Sequence, residues 1–129
     1  MDRPKVGVFA ANPYVVTNMT NELDWRLKAD LVSAYNVEDA QKICKESSPE
    51  IIILDSSLAK EGDKDADLPK VFAGYKVILI TSLKNLASMD TQLENVIEVL
   101  EKPASIVELA NVLKKHLSSE KKKTPAPQN

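Results

Sequence analysis

The sequence predicts an α/β domain built on a parallel sheet covered on both faces. Two observations carry this. Short β-rich apolar runs alternate with helical patterns along the chain, and the strongest runs are continuously apolar instead of alternating with polar residues. A strand buried on both faces needs such a continuous run. A strand–helix–strand alternation closes by right-handed crossovers, which place each helix outside the sheet. The length, 129 residues, fits one domain, and a chain of this size buries roughly two thirds of its unfolded surface without disulfide or metal staples.

Lys5-Val6-Gly7-Val8-Phe9-Ala10 reads as the first strand. From Tyr14 to about Arg26, Val15, Val16, Met19 and Leu23 fall near one helical face. Asn12 before Pro13 is a strong start, because the amide caps a free N–H and proline at the first helical position gives up nothing. A second strand lies within Ala29–Ala34. A second helix runs from Val37 to about Lys45, with Val37, Ala40, Ile43 and Cys44 at helical spacing. Glu50-Ile51-Ile52-Ile53-Leu54-Asp55 is the strongest strand, and its unbroken apolar core marks it as central.

Ser56 to Lys70 reads as loop, followed by at most a short third helix near Leu68 to Gly74. Lys76-Val77-Ile78-Leu79-Ile80-Thr81 is a fourth buried strand. Leu83 to Leu93 is weakly helical. Val96-Ile97-Glu98-Val99-Leu100-Glu101 mixes apolar and acidic residues, as an edge strand does. Ser105 and Glu108 form a capping box that opens the last helix, and Ile106, Leu109, Ala110, Leu113 and Leu117 make its apolar stripe. Residues 118–129 carry three lysines and two prolines with no large apolar side chain. They are expected to form a disordered tail or linker after a folded unit over 1–117.

Composition excludes several function classes. With 17 Lys+Arg against 19 Asp+Glu the chain has a net charge of -2, too balanced for a general nucleic-acid binder. The tail contributes three lysines and one glutamate, so the remainder stands at -4. No apolar run approaches the ~18 residues of a membrane span. The single cysteine, Cys44, excludes an internal disulfide and favours a reducing, cytoplasmic setting. The three glycines, at 7, 62 and 74, form no phosphate-cradling loop. Asp63, Asp65 and Asp67 open like a calcium loop, but Leu68 and Gly74 stand where Gly and Glu are required. His116 is placed near the end of the last helix, where a cation meets the carbonyl ends favourably, and Cys44 on a core-facing position.

In a parallel α/β sheet a site forms at the carboxyl ends of the strands, near the switch in strand order. Asp55, Thr81 and Lys102 each stand just past such an end. A carboxylate can attack a phosphoryl group, a hydroxyl can hydrogen-bond its oxygen, and an ammonium can neutralise another oxygen. With these residues in place, roughly residues 5–117 resemble the receiver domain of bacterial response regulators. That resemblance implies a flavodoxin-like (βα)5 three-layer sandwich with strand order 2-1-3-4-5. It implies a phosphoacceptor at Asp55 served by Thr81 and Lys102, and a cis Lys102–Pro103 bond. It also implies an interface on the fourth helix, fifth strand and last helix.

The departures from the family pattern set the functional expectation. The acidic pair that holds Mg²⁺ in the family is replaced by Ala10 and Ala11, followed by Asn12 and Pro13. Two alanines offer a hard cation nothing but backbone carbonyls. The aromatic switch residue is replaced by Val99, and the Met-Pro after the acceptor by Leu58-Ala59. The chain is therefore expected to be a pseudo-receiver. Its Asp55, Thr81 and Lys102 would form a vestigial site with Mg²⁺ binding weak or absent, no cofactor and no enzymatic activity. Asp55 and Lys102 would form a partly buried ion pair. The expected partners are proteins: a fused output domain, a signalling protein or a second copy of the chain, with neither nucleic acid nor membrane. The alternative is a working receiver phosphorylated on Asp55 by a histidine kinase.

Overall fold

The computed structural model describes residues 3–59, 67–82 and 94–123, with side chains through Leu117. Its strands are β1 (Lys5–Phe9), β2 (Asp30–Ala34), β3 (Ile51–Asp55), β4 (Lys76–Thr81) and β5 (Val96–Glu101). They form one sheet in the order β2-β1-β3-β4-β5, with every neighbouring pair parallel. The helices are α1 (Pro13–Arg26), α2 (Val37–Ser47) and α3 (Ile106–Lys123). The expected flavodoxin-like sheet is present, with β3 at its centre and buried along its whole length.

Alternation along each strand divides the core into two layers. Val6, Val8, Ile51, Ile53, Ile78 and Ile80 face α1 and α3, meeting Val16, Met19 and Leu23 from one and Leu109 and Leu113 from the other. Phe9, Ile52, Leu54, Val77 and Leu79 face the opposite side, where α2 supplies Ala40 and Cys44. Gly7 lies beneath the Phe9 ring. A Cβ there would come within 2.8 Å of Phe9 Cζ and 3.0 Å of Ile52 Cγ2, so the close approach requires glycine. Cys44 is 2% exposed, as its helical spacing predicts, and burial pushes its thiol from 9.0 to about 11. Iodoacetamide at pH 8 should therefore leave the native chain unlabelled and label it fully in denaturant. The burial also gives a stability contribution that is complete below pH 9 and is lost as pH climbs toward 11, because the unfolded thiol ionises first.

Caps anchor the helices as expected. Asn12 Oδ1 accepts from Tyr14 N–H at 2.9 Å, and Ser105 Oγ accepts from Glu108 N–H at 3.3 Å. Asn36, a cap the sequence reading did not single out, opens α2 by accepting from Asp39 N–H at 2.8 Å.

Several expectations change. In place of a short α-helix near Leu68–Gly74 there is a single 3-10 turn, Pro69–Phe72. Proline opens it, and Gly74 at φ 97° reverses the chain two residues past its end, leaving no room for a longer helix. α3 runs to Lys123, six residues past the last apolar position, where a disordered tail was expected. Extending an existing helix adds a hydrogen bond per residue without a new nucleation cost, and Glu and Lys are good helix formers. His116 consequently lies in the body of α3 and not at its carbonyl end. The expected helix over Leu83–Leu93, the loop at 60–66 and the tail at 124–129 lie outside the described residues.

Candidate functional site

The sheet register builds the site. Asp55, the last residue of β3, pairs with Ile80, directly before Thr81. Thr81 pairs with Glu101, directly before Lys102, whose N–H bonds the Thr81 carbonyl at 2.8 Å. Three consecutive strands thus deliver Asp55, Thr81 and Lys102 to the same end of the sheet. The Lys102–Pro103 peptide bond is cis, as the resemblance implies.

Asp55 has its negative charge matched within the chain. Lys102 Nζ stands 2.8 Å from its Oδ1, with the Asp55 side chain 11% exposed and the Lys102 side chain 35% exposed. The same Oδ1 accepts from Ser57 N–H at 2.8 Å, which starts a 3-10 turn at Ser56–Leu58. An ammonium and an amide N–H therefore converge on one carboxylate oxygen, and both are charge-assisted contacts. Thr81 is fully buried.

The first strand brings no charge to this group. Ala10 is 1% exposed and belongs to the apolar layer that faces α1 and α3. Ala11 is exposed and donates its N–H to Ser57 Oγ at 3.0 Å. Among the described residues no three His, Cys, Asp or Glu side chains are grouped to hold a metal ion. Among the described residues, the side chains brought together here are one carboxylate, one ammonium and neutral hydroxyls, a set that does not fit a hard divalent cation.

Ser57 was missed in the sequence, where it lay within a stretch read as loop. Its signal is the Asp-x-Ser spacing from Asp55. A carboxylate that bonds the N–H two residues on makes an Asx-turn.

Val99 lies half-buried opposite Leu79, on the sheet face away from α3. The two glutamates of β5, Glu98 and Glu101, have different surroundings. The register slips between Val77–Val96 and Ile78–Glu98, so β5 carries one extra residue. The bulge turns Glu98 onto the α3 side, where its Oε2 lies 3.8 Å from His116 Nε2. Glu101 remains exposed.

Solved structures of low sequence identity share this architecture. A receiver domain protein from Clostridium thermocellum superposes with a TM-score of 0.74 at 20% identity, covering 92% of this chain and 97% of that one. A CheY-like receiver domain protein from Methanospirillum hungatei gives 0.72 at 15% identity, covering 95% and 99%. This chain has the receiver fold. A receiver-modulated diguanylate cyclase from Pelobacter carbinolicus gives 0.70 at 17% identity, covering 92% and 95%. No family model matches the sequence, and no curated protein does. At the carboxyl end of this fold stand Asp55, Thr81 and Lys102, with Ala10 and Ala11 just after the first strand. Among the described residues no helix is long and apolar enough to cross a membrane.

Proposed function

We propose that this receiver fold is a cytoplasmic protein–protein interaction module of signal transduction that works without phosphorylation at Asp55. One observation carries the reading. The would-be acceptor is already paired with Lys102 and Ser57, while Ala10 and Ala11 stand where the resemblance requires the carboxylates of a Mg²⁺ site. Phosphoryl transfer places growing charge on the transferring oxygens, and positioning plus metal neutralisation supply most of the catalysis. A site that cannot hold the ion forgoes that contribution. Val99 also lacks the ring that a phosphate-driven switch turns inward. The module is accordingly read as a scaffold with one surface state, and not as an enzyme.

The partner surface favoured by this reading is the side of β5 and α3. An open groove of about 430 Å³ runs there between Glu98, Val107, Glu108, Asn111 and Lys115. Val107 is 50% exposed in it, giving a protein partner an apolar contact inside a mixed-charge rim.

Incubating the chain with acetyl phosphate and Mg²⁺, followed by intact-mass measurement, tests the reading. No covalent adduct is expected. A gain of about 80 Da that disappears in Asp55→Asn overturns it in favour of a phosphoryl-accepting receiver, the alternative suggested by the retained Asp55, Thr81 and Lys102.

A further inference from the structure

We propose that Ser57 bridges, with its own side chain, the gap between the end of β1 and Asp55 that the resemblance assigns to a divalent ion, so that the chain itself closes this site and Mg²⁺ is not taken up. The proposal deepens the functional reading above and rests on it.

Two bonds make the bridge. Ser57 donates its backbone N–H to Asp55 Oδ1 at 2.8 Å, and its Oγ accepts the backbone N–H of Ala11 at 3.0 Å. One residue therefore joins the terminus of β1 to the terminus of β3, the two places between which an ion would have to sit. Ser57 is exposed, so burial does not force its hydroxyl into this position. The bond to Ala11 forms in competition with water, which means the local geometry favours it. Lys102 Nζ lies 2.8 Å from the same Asp55 oxygen. A divalent ion entering here would meet an ammonium across one carboxylate, and among the described residues no further anionic ligands offset such repulsion. The positive charge and the cross-strand tie of an ion are divided between two residues of the chain. Lys102 supplies the charge and Ser57 supplies the tie.

The test uses the ¹⁵N-labelled full chain. On titration with Mg²⁺ through tens of millimolar, the amide resonances of Ala11, Asp55 and Ser57 are expected to show no saturable shift. In Ser57→Ala, hydrogen exchange at the Ala11 amide should accelerate roughly fivefold, the equivalent of one net hydrogen bond. The Ser57→Thr variant keeps the hydroxyl and should restore protection. The substitution spares the backbone N–H that bonds Asp55, and it lies at an exposed position, so the fold survives it. A saturable Mg²⁺ shift at these three amides, or an Ala11 exchange rate untouched in Ser57→Ala, overturns the proposal. The outcome is separable from that of the functional reading. A mass adduct on Asp55 together with the exchange result above sinks the phosphorylation-independent reading and leaves the bridge standing. A saturable Mg²⁺ shift without an adduct does the reverse.

Discussion

Replacing Phe72 by alanine should lower the unfolding free energy by about 3–5 kcal/mol, the range for deleting a buried aromatic side chain. Phe72 is 2% exposed although it sits in a four-residue 3-10 turn. Its ring stacks on Phe9 at 6.1 Å between centroids and 28° between planes. The Phe9 ring in turn lies over Gly7, which has no side chain to fill a void. Removing Phe72 therefore opens a cavity beside the Phe9 ring in the second core layer. The backbone of the turn is held independently, because Asn95 Nδ2 donates to the carbonyls of Pro69 at 3.0 Å and Phe72 at 3.2 Å. The turn should thus stay in place and the cavity persist. Urea unfolding followed by circular dichroism measures the loss. Val71→Ala, at a 44% exposed neighbour, should change stability by no more than about 0.5 kcal/mol. A Phe72→Ala loss as small as that of Val71→Ala would show that the second core layer does not depend on this ring.

Lys102→Met should cost about 2 kcal/mol, and Asp55→Asn under about 1 kcal/mol. The asymmetry follows from exposure. Without Lys102, the nearly buried Asp55 carboxylate keeps Ser57 N–H but loses its cation. Without the Asp55 charge, Lys102, with 35% of its side chain in water, can turn its ammonium outward, while asparagine still accepts from Ser57. That same exposure places the expected cost below the ~3–5 kcal/mol of breaking a fully buried pair. The double variant should be more stable than the sum of the single losses implies, giving a coupling energy of roughly 1 kcal/mol. Equal effects of the two single substitutions, or strict additivity, would show that the pair is not what holds these strand ends together.

The legible parts of the molecule are those encoded by local pattern. Ile51 to Leu54 announce a central strand because four successive large apolar residues can be satisfied only by cover on both faces. Asn12-Pro13 and Ser105-x-x-Glu108 announce helix starts because a cap uses atoms within a few residues of one another. Asp55 and Lys102 were readable as candidates because residues just past parallel strands collect at one end of the sheet, and their ion pair was anticipated on that ground. Four things were less legible. The 3-10 turn at Pro69–Phe72 has too few residues to show a period. The extension of α3 to Lys123 has no apolar stripe to announce it. The turn of Glu98 toward His116 depends on a bulge that arises from pairing with β4. The bond from Ala11 to Ser57 joins residues 46 positions apart.

Residue order alone was enough for the strand–helix alternation, the parallel sheet and the three polar residues at its carboxyl end, whereas the acidic pair replaced by Ala10 and Ala11 is visible only through the family resemblance. The alternation, the sheet and the polar residues follow from burial periodicity and from which side-chain types occur where, and both are properties of short stretches of chain. The three-dimensional packing was needed to show that Asp55 is matched by Lys102 and Ser57 together, that Ser57 closes the side toward β1, and that Glu98 faces α3. Each of these is a contact between segments far apart in the chain. Its existence depends on strand register to within a residue, and a one-residue slip would send every side chain involved to the other face.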